Sequence, residues 1–532
     1  MKIFYNGKKI RPKSVGHKPI KIIPPTLIAQ YKFDKSIYEN LIPEFNPEFT
    51  NYIIVDKYLD TEDIVTRSIY SKDLPKMMRF GNEDSGSERE SSLIEILYLD
   101  TRKIKTMMAM FKYCTNLSNI ADINWETSMV NNMGAMFLNC SSLKHLDLSS
   151  WNTGNVINMR NMFHNCNQLV SLDISNFDTK NVTDMYGMFY NCQLLTSIDV
   201  NNWDTGNVID MSHMFQNCTN LTSIDISNWD TRNVNNVSYI FNGCDQITNL
   251  NMSGWNTSNI VDMSYMFRGC KMLTSIGDVS NWDINKVTTI KTMFYECNSL
   301  TSLNVSNWDT SNISDPSYAF FSCCNLTELD VSNWDTSKFT TLQSVFCNCC
   351  NLTELDVSNW DTKNVTNMRF VFGSGSPYPD MQLKNLPVEN FNTDKVTDIY
   401  CIFQNCVDLT SLDLSTWNVE GITNMNYAFF KCPSLRTLNL SNWNMNNNVT
   451  TTSMLNKNFS LTNVIMNNSD YNSVNKIIAA LPTRTDESIS YLDIAGIDDI
   501  SQVDTDTLNN KYWTIVSHTI LNNARLGQTK LN

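Results

Sequence analysis

Histidine is scarce in this 532-residue chain: only His17, His145, His164, His213 and His518 occur. None stands at a recognised spacing from a serine or cysteine, so no nucleophile–base couple can be nominated. Phosphate-binding glycine loops and zinc motifs are missing too. These absences argue against an enzyme and leave no catalytic, cofactor or metal residue to assign. No apolar run reaches membrane-spanning length, which excludes insertion as a helix. The opening MKIFYNGKKIRPKSVGHKPIKIIPP lacks the apolar core of an export signal, and no lipobox-like cysteine or LPxTG-like anchor is found. Positive charge is also in deficit: the formal charge of −14 argues against nucleic-acid binding by the body of the protein.

What is present is a repeat. Residues 203–228 read WDTGNVIDMSHMFQNCTNLTSIDISN, and copies of that stretch run on both sides. Its first position falls at Leu99, Trp125, Trp151, Phe177, Trp203, Trp229, Trp255, Trp282, Trp308, Trp334, Trp360, Phe391, Trp417 and Trp443. The step is 26 residues, apart from one of 27 before Trp282 and one of 31 before Phe391. A fixed period of this size is the signature of a solenoid.

Each unit has two periodicities. Val208, Met211, Met214, Phe215 and Cys218 share one face of a short helix, with Asn207 and Asp210 resembling a capping box. Leu221, Ile224 and Ile226 switch to a two-residue period, which predicts a half-buried strand with Ser223, Asp225 and Ser227 outward. No unit of this size buries its apolar face alone, so stacking must fuse the Met, Phe and Cys rows into one core. The predicted fold is an α/β repeat solenoid, leucine-rich-repeat-like, with one short strand and one short helix per 26-residue repeat and non-repeat caps at both ends.

The frame M-F-x-x-C-x-x-L-x-x-L-D-[LIV]-S-x-W-D-T-x-N-V-x-x-M resembles the BspA-like leucine-rich repeat surface proteins of bacteria, mycoplasmas and bacteriophages. The resemblance covers roughly residues 93–454 and implies the fold and a binding or adhesive role. It names no ligand. The missing export signal departs from the cellular members of that family.

Three segments are expected: a basic arm and small attachment domain at 1–92, a solenoid of about 13 repeats at 93–454, and a cap and tail at 455–532. The arm carries Lys2, Lys8, Lys9, Arg11, Lys13, Lys18, Lys21 and Lys32, with no acid before Asp34. That pattern suggests docking of the N-terminal region on an anionic partner. Residues 81–92 read as a polar linker, and residues 473–481 as a capped helix ended by Pro482. Pro316 is expected in a first helical turn, where its missing N–H is harmless.

Twelve of the 16 cysteines hold one repeat position, from Cys114 to Cys432, and read as a reduced, buried ladder. Cys323, Cys324, Cys347, Cys349 and Cys350 raise a thiolate metal site as an alternative, but two of them belong to the ladder and should point inward.

Two candidate binding surfaces remain. One is the outward strand row: Asp147, Asp173, Asp199, Asp225, Asp278, Asp330, Asp356 and Asp413, flanked by hydroxyls such as Ser223 and Ser227. Asn251, Asn304 and Asn439 take the same position elsewhere, and solubility with edge protection is the competing reading. Calcium is the weaker alternative, since a regular strand presents one carboxylate per repeat rather than a cage of oxygens. The other surface is the loop at 373–380, with Ser374, Pro377, Tyr378, Pro379 and Asp380, inserted where a ladder cysteine is due. The strand row is preferred, because a repetitive face gains through many weak contacts.

The closing stretch ARLGQTKL resembles LG-x-T-K segments of phage tail and fibre proteins, and MKIFYNGKKI has a similar character. The reading carried forward is a non-enzymatic binding protein of a phage virion, a tail or fibre component that contacts a host surface protein or glycan. Its N-terminal region would join it to other virion proteins. The alternative is a bacterial cell-surface adhesin or interaction scaffold.

Overall fold

The computed structural model describes the backbone of residues 2–5 and 8–10, and residues 26–38, 41–50, 52–58, 63–71, 73–81, 91–121, 125–484, 490–497 and 500–516. Most of the basic arm, the polar linker and the closing LG-x-T-K segment lie outside the described residues. The chain divides into two compact units, 1–259 and 260–532.

The first unit opens with antiparallel strands: β1 (Lys2–Tyr5), β2 (Lys8–Ile10), β3 (Thr26–Asp34), β4 (Glu44–Phe45), β5 (Ile53–Tyr58), β6 (Ile64–Ser71), β7 (Met78–Arg79) and β8 (Leu93–Leu99). They form a sheet in the order β2-β1-β5-β6-β3-β8, with β4 and β7 paired separately. Arg67 and Asp56 form a buried two-pronged ion pair of 2.7 and 2.8 Å within it, and Arg67 also donates to the Leu41 carbonyl at 2.7 Å. Such a pair keeps its charges satisfied away from water. β8 then pairs in parallel with β9 (Asn119–Ile120), and the sheet passes into the first coils.

The coils are parallel and in register. β10 (His145–Asp147) pairs with β11 (Ser171–Asp173), and further coils are joined by single bridges such as Ser197 to Ser223. The outward and inward alternation of this half follows the two-residue period: Ile224 and Ile226 are buried, while Ser223 and Asp225 are exposed.

The other half is not helical, which corrects the sequence expectation. The amides of Met211, His213, Phe215 and Asn217 donate to Asn236, Ser238, Ile240 and Asn242 of the next coil at 2.7–3.1 Å. The amides between them, of Met214, Gln216 and Cys218, close turns onto carbonyls three residues back. His213 and Asn217 both have φ of 59°, and a left-handed residue every fourth position cannot belong to a right-handed helix. Alternate amides thus lock each coil to its neighbour. Pro316 sits at the first of these coil-to-coil donor positions, where Leu342 of a later coil gives its N–H to Asn367 at 2.9 Å.

The capping box is corrected too. Asn207 reaches back across the coil and donates Nδ2 to the Lys180 carbonyl at 2.7 Å; Asn155, Asn181 and Asn233 do the same. Buried Thr153 accepts from the Asp178 amide at 2.8 Å and returns its hydroxyl to the Asp178 carbonyl at 3.0 Å. These side chains clamp coil to coil and satisfy backbone groups that burial would otherwise orphan.

Between the two halves lies the core. Phe111, Phe137, Phe163, Phe189, Phe215 and Phe241 stack with centroids 5.3–5.6 Å apart. Burying each such side chain stabilises by roughly 1.5–3 kcal/mol.

In the second unit the coils end in a five-stranded parallel sheet of β12 (Ser411–Asp413), β13 (Thr437–Asn439), β14 (Asn463–Ile465), β15 (Ser490–Asp493) and β16 (Trp513–Val516). Among the described residues this end carries two helices, α1 (Tyr471–Ala480) and α2 (Thr505–Asn510), with α2 packed on α1 and on β16. α1 starts earlier than the sequence suggests because Asp470 is its cap, accepting from the Ser473 amide at 2.9 Å. No helix among the described residues is long and apolar enough to cross a membrane.

Candidate functional site

Coil geometry fixes what each nominated residue does. Asp225 Oδ1 accepts from the Ser227 amide at 3.1 Å and from its hydroxyl at 2.7 Å, closing the turn that follows the strand. Asp147, Asp330, Asp356 and Asp413 make the same pair of bonds, and Asp173 makes it to Ser175. Asp199 and Asp278 accept from the amides of Asn201 and Ser280. The serine hydroxyl and amide hold the Asp147, Asp225 and Asp356 carboxyls below their ordinary range. Asn251, Asn304 and Asn439 close their turns in the same way, so the turn needs the oxygen and not the charge. Each of these carboxylates therefore has a structural task as well as an exposed position.

In the first unit the row lines a shallow groove of about 850 Å³. Its rim carries His145, Asp147, Ser171, Asp173, Ser197 and Asp199, over a floor of Leu146, Leu172 and Ile198. Val170 is 42% exposed beside it. The 26-residue step brings together a pair the sequence reading missed: His145 Nδ1 lies 2.8 Å from Ser171 Oγ. Nearby strand amides are taken up by the ladder, as when Val170 donates to the Lys144 carbonyl at 2.8 Å.

The cysteine ladder has a chemistry of its own. Cys218 Sγ donates to the Phe189 carbonyl of the preceding coil at 3.1 Å, and Cys140, Cys166, Cys192, Cys244, Cys297, Cys323, Cys349, Cys406 and Cys432 repeat the bond. Where the ladder is next due, Asn458 stands instead and donates Nδ2 to the Phe429 carbonyl at 2.9 Å. All 16 cysteines are in the thiol form. Burial pushes Cys166, Cys218 and Cys432 up to about 12, which makes them poor nucleophiles. Among the described residues no three His, Cys, Asp or Glu side chains converge as metal ligands. Within the candidate cluster, Cys323 and Cys349 point to phenylalanine carbonyls, Cys324 donates to Asn348, and Cys350 donates to Pro379 at 3.1 Å.

The inserted loop is more tightly held than a projecting loop would be. Ser374 is wholly buried, with its amide on the Gln404 carbonyl at 2.9 Å. Pro377 and Pro379 are exposed, Tyr378 is half-buried, and Asp380 is gripped by Lys431 at 2.8 Å. Tyr378 meets Phe321 edge-on, 6.0 Å between centroids.

Sequence reasoning also missed a column of rings on the turn half. In the first unit Arg160 lies 3.7 Å over Tyr186, and His164 stacks on Tyr190 at 4.3 Å. Burial, with a smaller contribution from the charge of His213, pushes His164 down to about 4. In the second unit Tyr295 stacks on Phe321 at 4.5 Å at the equivalent places. These rings recur irregularly, so no periodicity announces them; their signal is the clustering of Tyr and Phe in the repeats around the insertion.

The family described as "Mycoplasma protein of unknown function, DUF285" matches five times, at residues 85–197, 165–276, 220–326, 271–380 and 376–485. The chain belongs to this family. No curated protein matches it. Among solved structures, a leucine-rich-repeat protein of Leptospira interrogans is 14% identical with a TM-score of 0.23, covering 80% of this chain and 95% of that one. A TLR13–ssRNA13 complex is 15% identical with a TM-score of 0.22, covering 75% and 66%. This DUF285 chain is a repeat protein whose coils run parallel and in register.

Proposed function

We propose that this chain is a non-enzymatic binding protein that receives an extended basic segment of a partner along the strand face of its first unit. The observation that carries the reading is the in-register groove at 145–199. Three successive coils there present carboxylates Asp147, Asp173 and Asp199 beside hydroxyls and an apolar floor. Oδ1 of each closes its own turn, so the side chains are oriented before a partner arrives, which lowers the ordering cost of binding. Each coil contributes a weak contact, and several together give avidity.

The test uses the triple variant Asp147→Asn, Asp173→Asn and Asp199→Asn. Asparagine preserves the turn, as Asn251 does. Affinity for an extended lysine-rich peptide at low salt should fall at least about tenfold, which corresponds to roughly 1.4 kcal/mol, with the unfolding midpoint unchanged. Undiminished binding by the variant would remove the face from consideration.

The ends of the sequence support display on a phage particle, docked through the N-terminal region, with a bacterial cell surface as the alternative. Immunogold labelling of purified particles against intact cells separates the two.

A further inference from the structure

The insertion at 373–380 helps to build a pocket on the turn half of the second unit. Its volume is about 280 Å³, and its walls include four half-buried rings: Tyr318, Phe321, Phe370 and Tyr378. Each wall is braced from behind or from the side. Phe321 rests on Tyr295 at 4.5 Å, Phe370 is met edge-on by Tyr400 at 5.3 Å, and the Tyr318 hydroxyl accepts from Gln343 Nε2. The loop is pinned as well: Asn348 Oδ1 accepts from the Gly375 amide at 2.9 Å, and Lys431 holds Asp380. A cavity with such fixed walls loses little freedom when it is filled.

The polar groups at its edge are few. Gln343 Oε1 accepts from Asn367 at 3.2 Å, and the Arg369 guanidinium donates Nη1 to Asp398 at 2.9 Å while lying 4.7 Å over Tyr400. Arginine has five N–H donors, so this pairing orients Arg369 and leaves donors to spare. Its charge is balanced by Asp398. The Tyr378 and Ser376 hydroxyls complete the rim.

We propose that this pocket binds one pyranose ring, the end residue of a glycan. Three observations select that ligand. The volume lies just under the roughly 300–1,000 Å³ common for small-molecule sites, which suits one ring rather than a chain. Phe321 and Tyr378 stand at 85° to one another, forming a corner rather than the parallel slot a flat aromatic ligand would fill. An anionic ligand would need unbalanced positive charge, and Arg369 is already paired. A sugar ring fits both demands: its C–H face packs on the aromatic walls, and its edge hydroxyls meet Arg369, Gln343 and the rim hydroxyls. The site shares no residue with the strand face and does not depend on it.

The experiment is saturation-transfer NMR on the full chain with free glucose, galactose, mannose, N-acetylglucosamine and N-acetylgalactosamine. Oligosaccharides ending in each of these sugars form a second arm. At least one free sugar should receive saturation, and the oligosaccharide bearing it at its end should bind too. Tyr378→Ala and Arg369→Met should each weaken that binding at least tenfold with the melting temperature kept. Tyr378→Phe, which retains the ring and loses one rim hydroxyl, should weaken binding less than Tyr378→Ala does, and the triple Asp→Asn variant should bind the sugar normally. No transfer to any free sugar, binding to oligosaccharides alone, or full binding by Tyr378→Ala would each overturn the proposal.

Discussion

The coil at 203–228 and the coil at 360–390 begin alike and part company halfway. Both start with a buried tryptophan and both carry the threonine clamp: Thr205 donates to the Asp230 carbonyl at 3.0 Å, and Thr362 to the Asn392 carbonyl at 2.8 Å. Both reach a stacked phenylalanine, Phe215 or Phe372. The first then places Cys218 on the Phe189 carbonyl, whereas the second leaves the frame, builds the loop and returns at Met381, whose amide meets the Asn405 carbonyl at 2.9 Å. The ladder resumes with Cys406 Sγ on the Phe372 carbonyl at 3.3 Å. The clamps and the phenylalanine stack are thus common to both coils, while the sulfur can be omitted once. The insertion falls where the sulfur row is interrupted.

The largest effect is expected at the phenylalanine stack that both coils share. Phe215→Ala should cost about 3–5 kcal/mol, because a wholly buried ring leaves a cavity between two stacked neighbours. Amide exchange should rise in the flanking coils before distant ones; a uniform response would contradict local stacking.

Glycines in the two coils differ next. A Cβ on Gly373 would sit 2.2 Å from the Cys401 carbonyl oxygen, so Gly373→Ala should cost about 1–3 kcal/mol. At Gly206, in the regular coil, the nearest atom is the side-chain carboxylate of Asp230 at 3.2 Å, and Gly206→Ala should stay within about 0.5 kcal/mol. Equal costs measured by denaturant titration would show that the inserted loop is no more tightly seated than the regular coil.

The ring columns differ in their response to acid. His164 on Tyr190 in the first unit stands where Phe321 on Tyr295 stands in the second. Burial lowers the folded-state value of His164 to about 4 against an ordinary 6.5, so the unfolded chain takes up the proton first. The stability of the first unit should be full above about pH 6.5 and decline as the pH falls towards 4. His164→Phe should remove that part of the slope, as seen in melting curves across this range; an unchanged slope would exclude His164 as its source.

The smallest effect belongs to the turn carboxylates. Asp225→Asn should change stability by less than about 0.5 kcal/mol, since Asn251 closes the same turn. Asp225→Ala, which loses both bonds to Ser227, should cost about 1 kcal/mol. A large loss in the asparagine variant, read from thermal unfolding, would mean that the charge itself holds the turn.

The strand half was legible because burial enforces its alternation: Ile224 and Ile226 must face inward whatever the backbone does next. The turn half misled because Val208, Met211, Met214, Phe215 and Cys218 share an inward face, and three-residue turns reproduce helical spacing. The overlooked signal was Asn at 139, 165, 191, 217, 348 and 405 and Gly at 243 and 269, the residue types that accept a left-handed backbone. The carboxylate row was visible as a row, but its turn-closing task needs the angle between Asp225 and Ser227. The pocket was visible only as its loop. Its other walls come from two coils separated by a third: Tyr318 and Phe321 from the coil at 308–333, and Phe370, at the repeat position of Tyr318, from the loop's own coil.

The turn half is a coil with left-handed positions and not a helix, and Asn217 tests this by the sign of one difference. Both Asn217→Gly and Asn217→Ala remove the same side chain and differ only in the backbone they favour. At φ of 59° glycine is free of strain and alanine is not, so the glycine variant should be the more stable by about 1 kcal/mol. In a helix the order reverses by a similar amount. Chemical denaturation of the two variants side by side decides it: glycine above alanine is the predicted result, and alanine above glycine would contradict the coil.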